Sequence, residues 1–309
     1  MKSLLVLVGP TASGKTAVAC EIAGRLPVEM ISCDSMQVYR SMPLLTQAPT
    51  PRQKKILSAH LISFLDPAKE YNAALFRQGA LKAIEKIHKK GRLPMLVGGT
   101  GLYLRALMEG IFETEKDSGQ DEKLRKKLLN EQKKHGGNHL HERLRKVDPA
   151  SAARIHPNDF RRLVRALEVF EVTGRPISEH QPTRQGIRAT FHCRLFLLDR
   201  DREELYGRIH LRVDEMLKKG LLKEVQRLSR RVLGRTASMA LGYREIKMVV
   251  ERKMSLSDAA ELLKKNTRHY AKRQLSWFRH EKDMEPVKVE EGESPKKIAQ
   301  RIVKMWMGS

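Results

Sequence analysis

The sequence predicts an α/β fold built on a parallel sheet and interrupted by an all-helical insertion. Three observations carry this. The apolar run Leu4-Leu5-Val6-Leu7-Val8 leads straight into the glycine loop Gly9-Pro10-Thr11-Ala12-Ser13-Gly14-Lys15-Thr16 and then into a helical pattern through Ala23. Short apolar runs alternate with helical patterns over the first ~110 residues, as in a parallel α/β sheet. Between about Glu113 and Arg188 the strand-like runs disappear and charged helical segments take over.

Residues 3–8 read as the first strand, a short apolar run closed by glycine. Pro27-Val28-Glu29-Met30-Ile31-Ser32 supplies a second strand over 28–32, which ends at Asp34. Leu93-Pro94-Met95-Leu96-Val97 supplies a third over 93–98, which ends in Gly98-Gly99-Thr100-Gly101. Open α/β sheets bind ligands past the carboxyl ends of their strands, so functional residues are expected there. In the insertion, Leu124, Leu128 and Gln132 recur at helical spacing between Asp121 and Lys134. Pro149 opens another helix. Asn158-Asp159 cap a third, along which Phe160, Leu163, Val164, Leu167 and Phe170 form an apolar stripe. Gly174 and Pro176 end it, and Thr183 to Ala189 is the return linker.

Phe191 to Leu198 is a strand that rejoins the sheet. Leu205, Ile209, Val213, Leu217 and Leu221 mark one long amphipathic helix, and residues 257–280 mark another. On the latter, Lys264, Lys265, Arg268, Lys272 and Arg279 share one face with no acid among them, while Ala259, Leu263, Tyr270, Trp277 and Phe278 share the other. That face is expected to meet a nucleic acid. The tail from Glu285, with Glu290, Glu291 and Glu293, is acidic and expected to be peripheral. The expected division is 1–112 for the first part of the core, 113–189 for the insertion, 190–283 for the rest of the core with its basic helix, and 284–309 for the tail.

The glycine loop has the spacing G-x-x-x-x-G-K-[ST], so the core is expected to be P-loop NTPase-like. Glycines let backbone amides turn inward, and the following helix N-terminus adds partial positive charge. Lys15 supplies a mobile cation and the Thr16 hydroxyl a ligand for Mg²⁺. The motif predicts a polyphosphate without naming it. Asp34 could ligate Mg²⁺, accept a proton from a nucleophile or cap a helix. Asp199 imitates the acidic strand end of an ATPase, but Asp199 or Asp201 as the cap of the next helix is the simpler account. Arg161, Arg162 and Arg165 fit kinase-lid residues, nucleic-acid contacts or plain surface charge. His135, His139 and His141 have metal-like spacing without a supporting cysteine.

Sixty Lys and Arg oppose 36 Asp and Glu, a net charge of +24. An excess this large points to a polyanionic partner, nucleic acid before membrane. No apolar run reaches the ~20 residues that span a bilayer. The start of the chain does not read as a cleavable signal, and the three scattered cysteines read as free thiols, so a cytoplasmic monomer is expected.

The motifs now in hand resemble those of bacterial tRNA dimethylallyltransferases. The resemblance rests on the glycine loop, Asp34-Ser-Met-Gln-Val-Tyr39, Gly98-Gly-Thr-Gly-Leu-Tyr103, Ile155-His-Pro-Asn-Asp159, Arg162-Leu-Val-Arg-Ala-Leu-Glu168, Gly242-Tyr-Arg-Glu245 and Lys272-Arg-Gln-Leu-Ser-Trp-Phe-Arg279, in that order. It implies transfer of a dimethylallyl group from dimethylallyl diphosphate to N6 of the adenine 3′ to the anticodon. It implies that Gly9 to Thr16 grip the diphosphate with Mg²⁺ on Thr16, and that Asp34 is the general base. Thr100 would sit beside the acceptor base. Arg212, with Arg208 as the alternative, would serve the diphosphate. It further implies that the tRNA anticodon stem-loop meets Asp34, Ser35, Met36, Gln37, Thr100, Arg161, Arg162, Leu163, Val164, Arg165, Gly242, Tyr243, Arg244, Lys272, Arg273, Gln274, Trp277 and Arg279, with Arg125 a weaker member. A relative using free AMP, a small-molecule kinase and a pure RNA-binding module remain the competing readings.

Overall fold

The computed structural model describes residues 2–111, 121–180 and 185–308. The expected start of the insertion at Glu113 and part of the linker, Thr183 and Arg184, lie outside the described residues. Five strands form one sheet: β1 (Lys2–Val8), β2 (Val28–Cys33), β3 (Leu93–Gly98), β4 (Phe191–Arg200) and β5 (Met284–Val289). Their order is β2-β3-β1-β4-β5 and every neighbouring pair is parallel. The helices before the insertion are α1 (Lys15–Ala23), α2 (Pro43–Thr46), α3 (Pro51–Leu57), α4 (Ala73–Lys89) and α5 (Gly101–Met108). Those of the insertion are α6 (Glu122–His135), α7 (His139–Val147), α8 (Pro149–Ala152), α9 (Phe160–Thr173) and α10 (Ile177–His180). Those after β4 are α11 (Arg202–Lys218), α12 (Leu221–Leu228), α13 (Tyr243–Val250), α14 (Leu256–Arg279) and α15 (Pro295–Met307).

Side chains alternate across a strand, so each strand feeds two cores. Leu4, Val6 and Val8 of β1 join Ile31, Leu96, Leu195 and Leu197 in the larger core, which α4, α5, α12, α13 and α14 cover. Leu5 and Leu7 join Met30, Val97, Phe196 and Leu198 in the other, covered by α1 and α15. Burial on both faces explains why β1, β3 and β4 read as unbroken apolar runs.

The tail is not peripheral. Residues 284–289 are the fifth strand, in register with β4 from Leu195–Met284 to Arg200–Val289. Ile298, Ala299 and Ile302 of α15 are fully buried against the core that Val18 and Ile22 of α1 enter. Of the acidic residues that coloured the tail, Glu290, Glu291 and Glu293 occupy the turn between strand and helix, and Glu285 of β5 pairs with Arg194. The strand itself is an edge strand, where Pro286 is tolerated and one face stays open to solvent, which dilutes its apolar signal. The long helix expected through Leu221 is two helices, because Gly220 takes φ 97° between them.

The chain divides into two compact units, Met1–Met108 with Ile187–Ser309, and Glu109–Gly186. The second has its own core of Leu128, Leu140, Leu144, Leu163, Val164 and Leu167. Asp159 caps its helix as read from the sequence, accepting from the Arg162 amide, and Asp121 caps α6 by accepting from the Lys123 and Leu124 amides. At its centre the buried Glu168 carboxylate accepts two hydrogen bonds of 2.7 Å from Arg125 and one of 2.8 Å from Arg165. Burial pushes that carboxyl up, but the two guanidinium groups outweigh it and hold it below the usual range.

Candidate active site

Strands β1 to β4 end on one rim of the sheet, and each delivers part of the site. After β1 the P-loop winds into α1. Gly14 is the N-cap at φ 95°, a left-handed position that glycine takes without strain, and no side chain caps the helix. The first amides of α1 therefore remain free for an anion. The Ser13 hydroxyl is buried without a hydrogen-bond partner, an oxygen that a bound polar group would satisfy. Lys15 Nζ folds back on the Gly9 and Pro10 carbonyls at 2.9 and 2.8 Å. Burial lowers its pKa to about 8. Asp34 pulls it up and Arg212 pushes it further down.

After β2, Asp34 does not cap a helix. Its Oδ1 accepts from the Met36 and Gln37 amides at 2.8 and 3.4 Å and shapes a tight turn. Its charge reaches both Lys15 and Arg212. Thr100, after β3, is tied to the same turn: its Oγ1 accepts from the Ser35 amide at 3.0 Å, and its own amide donates to the Cys33 carbonyl at 3.1 Å. The two strand ends come this close because residue 98 is glycine, where a Cβ would lie 2.1 Å from the Cys33 oxygen.

After β4, Arg200 is almost fully buried and donates from Nε to the Ser13 carbonyl at 2.9 Å. Asp201 takes the capping role on α11, through the Glu203 and Glu204 amides. Asp199 ends in an ion pair with Arg279 at 3.0 Å. From α11, Arg208 donates to the Ala12 carbonyl at 2.9 Å. Arg212, one turn on, donates from Nε to Gln47 Oε1. Burial lowers the Arg212 pKa to about 10, Asp34 opposes this, and Arg208 adds to it. Nothing in the sequence singles out Arg200 or Gln47. Arg200 sits inside a run of alternating charges, and Gln47 carries no charge at all.

α14 clamps the rim. Gln274 is buried, accepts from the Thr11 amide at 2.8 Å and donates to the Gly99 carbonyl at 2.7 Å. A Cβ at residue 99 would meet Gln274 at 2.4 Å, and one at residue 101 would meet the Trp277 ring at 2.4 Å. The Arg105 guanidinium stacks over that ring, 4.6 Å from its centre. The glycines of the Gly98 to Gly101 turn thus make room for β2 and α14.

The residues expected on tRNA sort differently by exposure. Arg161, Arg162, Arg244, Lys272, Arg273 and Arg279 are exposed, and Asp34, Ser35, Met36, Gln37, Thr100, Arg165 and Trp277 are half-buried. Leu163 and Val164 are corrected: their side chains lie in the helical unit's own core, because five consecutive helical residues cannot share one face. Arg125 turns inward to Glu168, and Tyr243 and Gln274 are buried. The Gly242 amide donates to Glu245 Oε2 at 3.0 Å. The cationic face of α14 is also narrower than expected. Lys264 pairs with Asp214 and Glu261, Arg268 with His210, and Arg279 with Asp199. In the helical unit, His135 stacks on His139, and His141 bonds the Ala152 carbonyl.

A parallel α/β sheet, a P-loop flanked by four cationic side chains and a carboxylate at the end of β2, two strands across from β1, define an enzyme of the P-loop class that works on a polyphosphate. The family model described as IPP transferase matches residues 37–281. The tRNA dimethylallyltransferase of Acetivibrio thermocellus is 42% identical over 305 residues, covering 98% of this chain and 96% of that one. That of Symbiobacterium thermophilum is 44% identical over 303 residues, covering 98% and 94%. Among solved structures, the tRNA isopentenylpyrophosphate transferase of Bacillus halodurans matches with TM-score 0.71 and 36% identity over 99% of this chain and 96% of that one. A eukaryotic dimethylallyltransferase acting on tRNA matches with TM-score 0.84 and 28% identity over 99% and 79%. The chain belongs to the IPP transferase family.

Proposed function

We propose that this enzyme transfers the dimethylallyl group of dimethylallyl diphosphate to the exocyclic N6 of the adenine 3′-adjacent to the anticodon in tRNA. The products are N6-isopentenyladenosine and diphosphate. The observation that carries this reading is the set of cations on the P-loop, Lys15 on the Gly9 and Pro10 carbonyls and Arg208 on the Ala12 carbonyl, with the Asp34 charge acting on both Lys15 and Arg212. Dimethylallyl transfer and tRNA are what its relatives are named for.

In this reading N6 attacks C1 of the allyl group, the C1–O bond breaks, and its electron pair leaves with the diphosphate. The proton on N6 passes to the Asp34 carboxylate. The free amides of α1, Lys15 and Arg212 stabilise charge as it develops on the leaving group. Thr100 holds the Ser35 amide, and with it the turn that aims Asp34. The site fits Mg²⁺: Thr16 stands in the first turn of α1, the Ser13 hydroxyl of the loop has no partner, and a hard cation that keeps waters needs few protein ligands. Mg²⁺ held by Thr16 and the diphosphate would neutralise leaving-group charge. Arg161, Arg162, Arg244, Lys272 and Arg273 are the exposed cations proposed to meet RNA phosphates.

The test uses unmodified tRNA and Mg²⁺ with either labelled dimethylallyl diphosphate or γ-labelled ATP. Label entering tRNA from the prenyl donor alone is expected. Label leaving ATP, with none in tRNA, would replace this reading with a kinase.

A further inference from the structure

The geometry points to Gln47 as a positioning residue that aims Arg212 at the diphosphate and couples it to the strand carrying Asp34. This rests on the proposed reading of the P-loop as the diphosphate site. Gln47 follows α2 in a left-handed conformation, φ 53° and ψ 38°, which a non-glycine residue adopts at a cost. Its backbone therefore argues for glycine, and its side chain must have another use.

That side chain is fully engaged. Nε2 donates to the Leu44 carbonyl, and Oε1 accepts from Arg212 Nε. The amide orientation is fixed, because a guanidinium can only donate. The Gln47 carbonyl accepts from Gln37 Nε2 at 3.4 Å, and Gln37 Oε1 accepts from the Ser32 hydroxyl at 3.0 Å. Ser32 is fully buried in β2, two residues before Asp34. From the other side, Glu224 of α12 accepts from the Leu44 and Leu45 amides at 3.1 and 2.9 Å and anchors α2. Gln47 thus joins a line from β2 to one from α12, and both end on Arg212.

The choice of a neutral acceptor follows from electrostatics. Arg212 is a buried cation near Lys15 and Arg208; burial is the main cause of its lowered pKa, and Arg208 adds to it. Unheld, it gains by swinging towards solvent. A carboxylate at position 47 would hold it but cancel the charge that the diphosphate needs. A glutamine amide holds Nε and leaves the terminal nitrogens of the guanidinium, with their full charge, for the ligand.

The test is direct titration of inorganic diphosphate into the full chain, with steady-state kinetics for the prenyl donor alongside. It compares wild type, Gln47→Gly, Arg212→Ala and the double variant. Glycine suits φ 53°, so Gln47→Gly removes the side chain while easing the backbone, and its thermal midpoint should hold or rise. Diphosphate affinity should fall about 10-fold or more, with a matching rise in donor KM. In the Arg212→Ala background the same substitution should add no further loss. Wild-type affinity in Gln47→Gly, or an equal loss with and without Arg212, would overturn the proposal. If Arg212→Ala alone leaves affinity unchanged, the arginine is not on the diphosphate and the proposal falls with it. A wild type that shows this coupling on diphosphate but transfers no prenyl group would refute the proposed function and leave the role of Gln47 standing.

Discussion

At the scale of single residues, the site sets Asp34 among cations and gives each an identifiable task. Asp34→Asn keeps an acceptor for the Met36 and Gln37 amides and so preserves the turn. It should leave tRNA affinity within a few-fold of wild type while turnover drops by ~10²-fold or more, as for a lost general base. Unchanged turnover would remove Asp34 from the chemistry. Lys15 makes a separate prediction through pH. Its pKa falls from 10.5 to about 8 on folding, chiefly by burial. Between those values the unfolded chain binds more protons than the folded one, so stability rises with pH across that window. The charged lysine costs up to about 3 kcal/mol at neutral pH, chiefly through loss of its hydration. Lys15→Met should therefore flatten the rise in urea midpoint between pH 8 and 10.5 relative to wild type. An identical slope in both proteins would show that Lys15 does not titrate in that window.

Among the elements, α14 and the tail show how far the sequence can be read. β1, its loop and α1 are legible because three independent signals coincide there: an apolar run, glycine spacing and a helix start. The part played by α14 is not, since Gln274 reads as one polar residue inside a basic helix. Only the folded chain brings it to the Thr11 amide and the Gly99 carbonyl. Gln274→Ala should leave both unpaired and cost about 1–3 kcal/mol. Thermal unfolding with and without dimethylallyl diphosphate would check it, and loss of stability without loss of donor binding would free the P-loop from dependence on α14. The tail misleads because local composition reports solvent-facing residues, whereas Val287, Ile298 and Ile302 are too few to announce a strand and a helix. Their burial is nonetheless complete or nearly so. Ile302→Ala should cost about 2–4 kcal/mol by denaturant titration, as expected for a truncated core side chain. A cost near zero would return the tail to the periphery.

Over the whole molecule, the net charge of +24 correctly announces a polyanionic partner, but it does not say which cations are available. Ion pairing divides them, and the sequence hides much of that division: some acids lie one turn away on the same helix, as Glu261 does from Lys264, but others come from distant elements. Lys264 meets Asp214 of α11, Arg279 meets Asp199 of β4, and Arg125 meets Glu168 across the helical unit. These cations already have counter-charges, and an RNA phosphate must compete with them. Lys272 and Arg273 are exposed on the same helix as Lys264. A cation that neutralises a phosphate releases about one counterion, so it contributes about one unit to the slope of log affinity against log salt. Lys272→Ala should therefore weaken tRNA binding and lower the salt slope by about one unit. Lys264→Ala should leave the slope unchanged, since its charge already faces two carboxylates. Binding of unmodified tRNA measured across a salt series for the two variants decides the point. Equal slopes in both would mean that α14 does not touch RNA, and the excess charge would then have to act through cations such as Arg161 and Arg244.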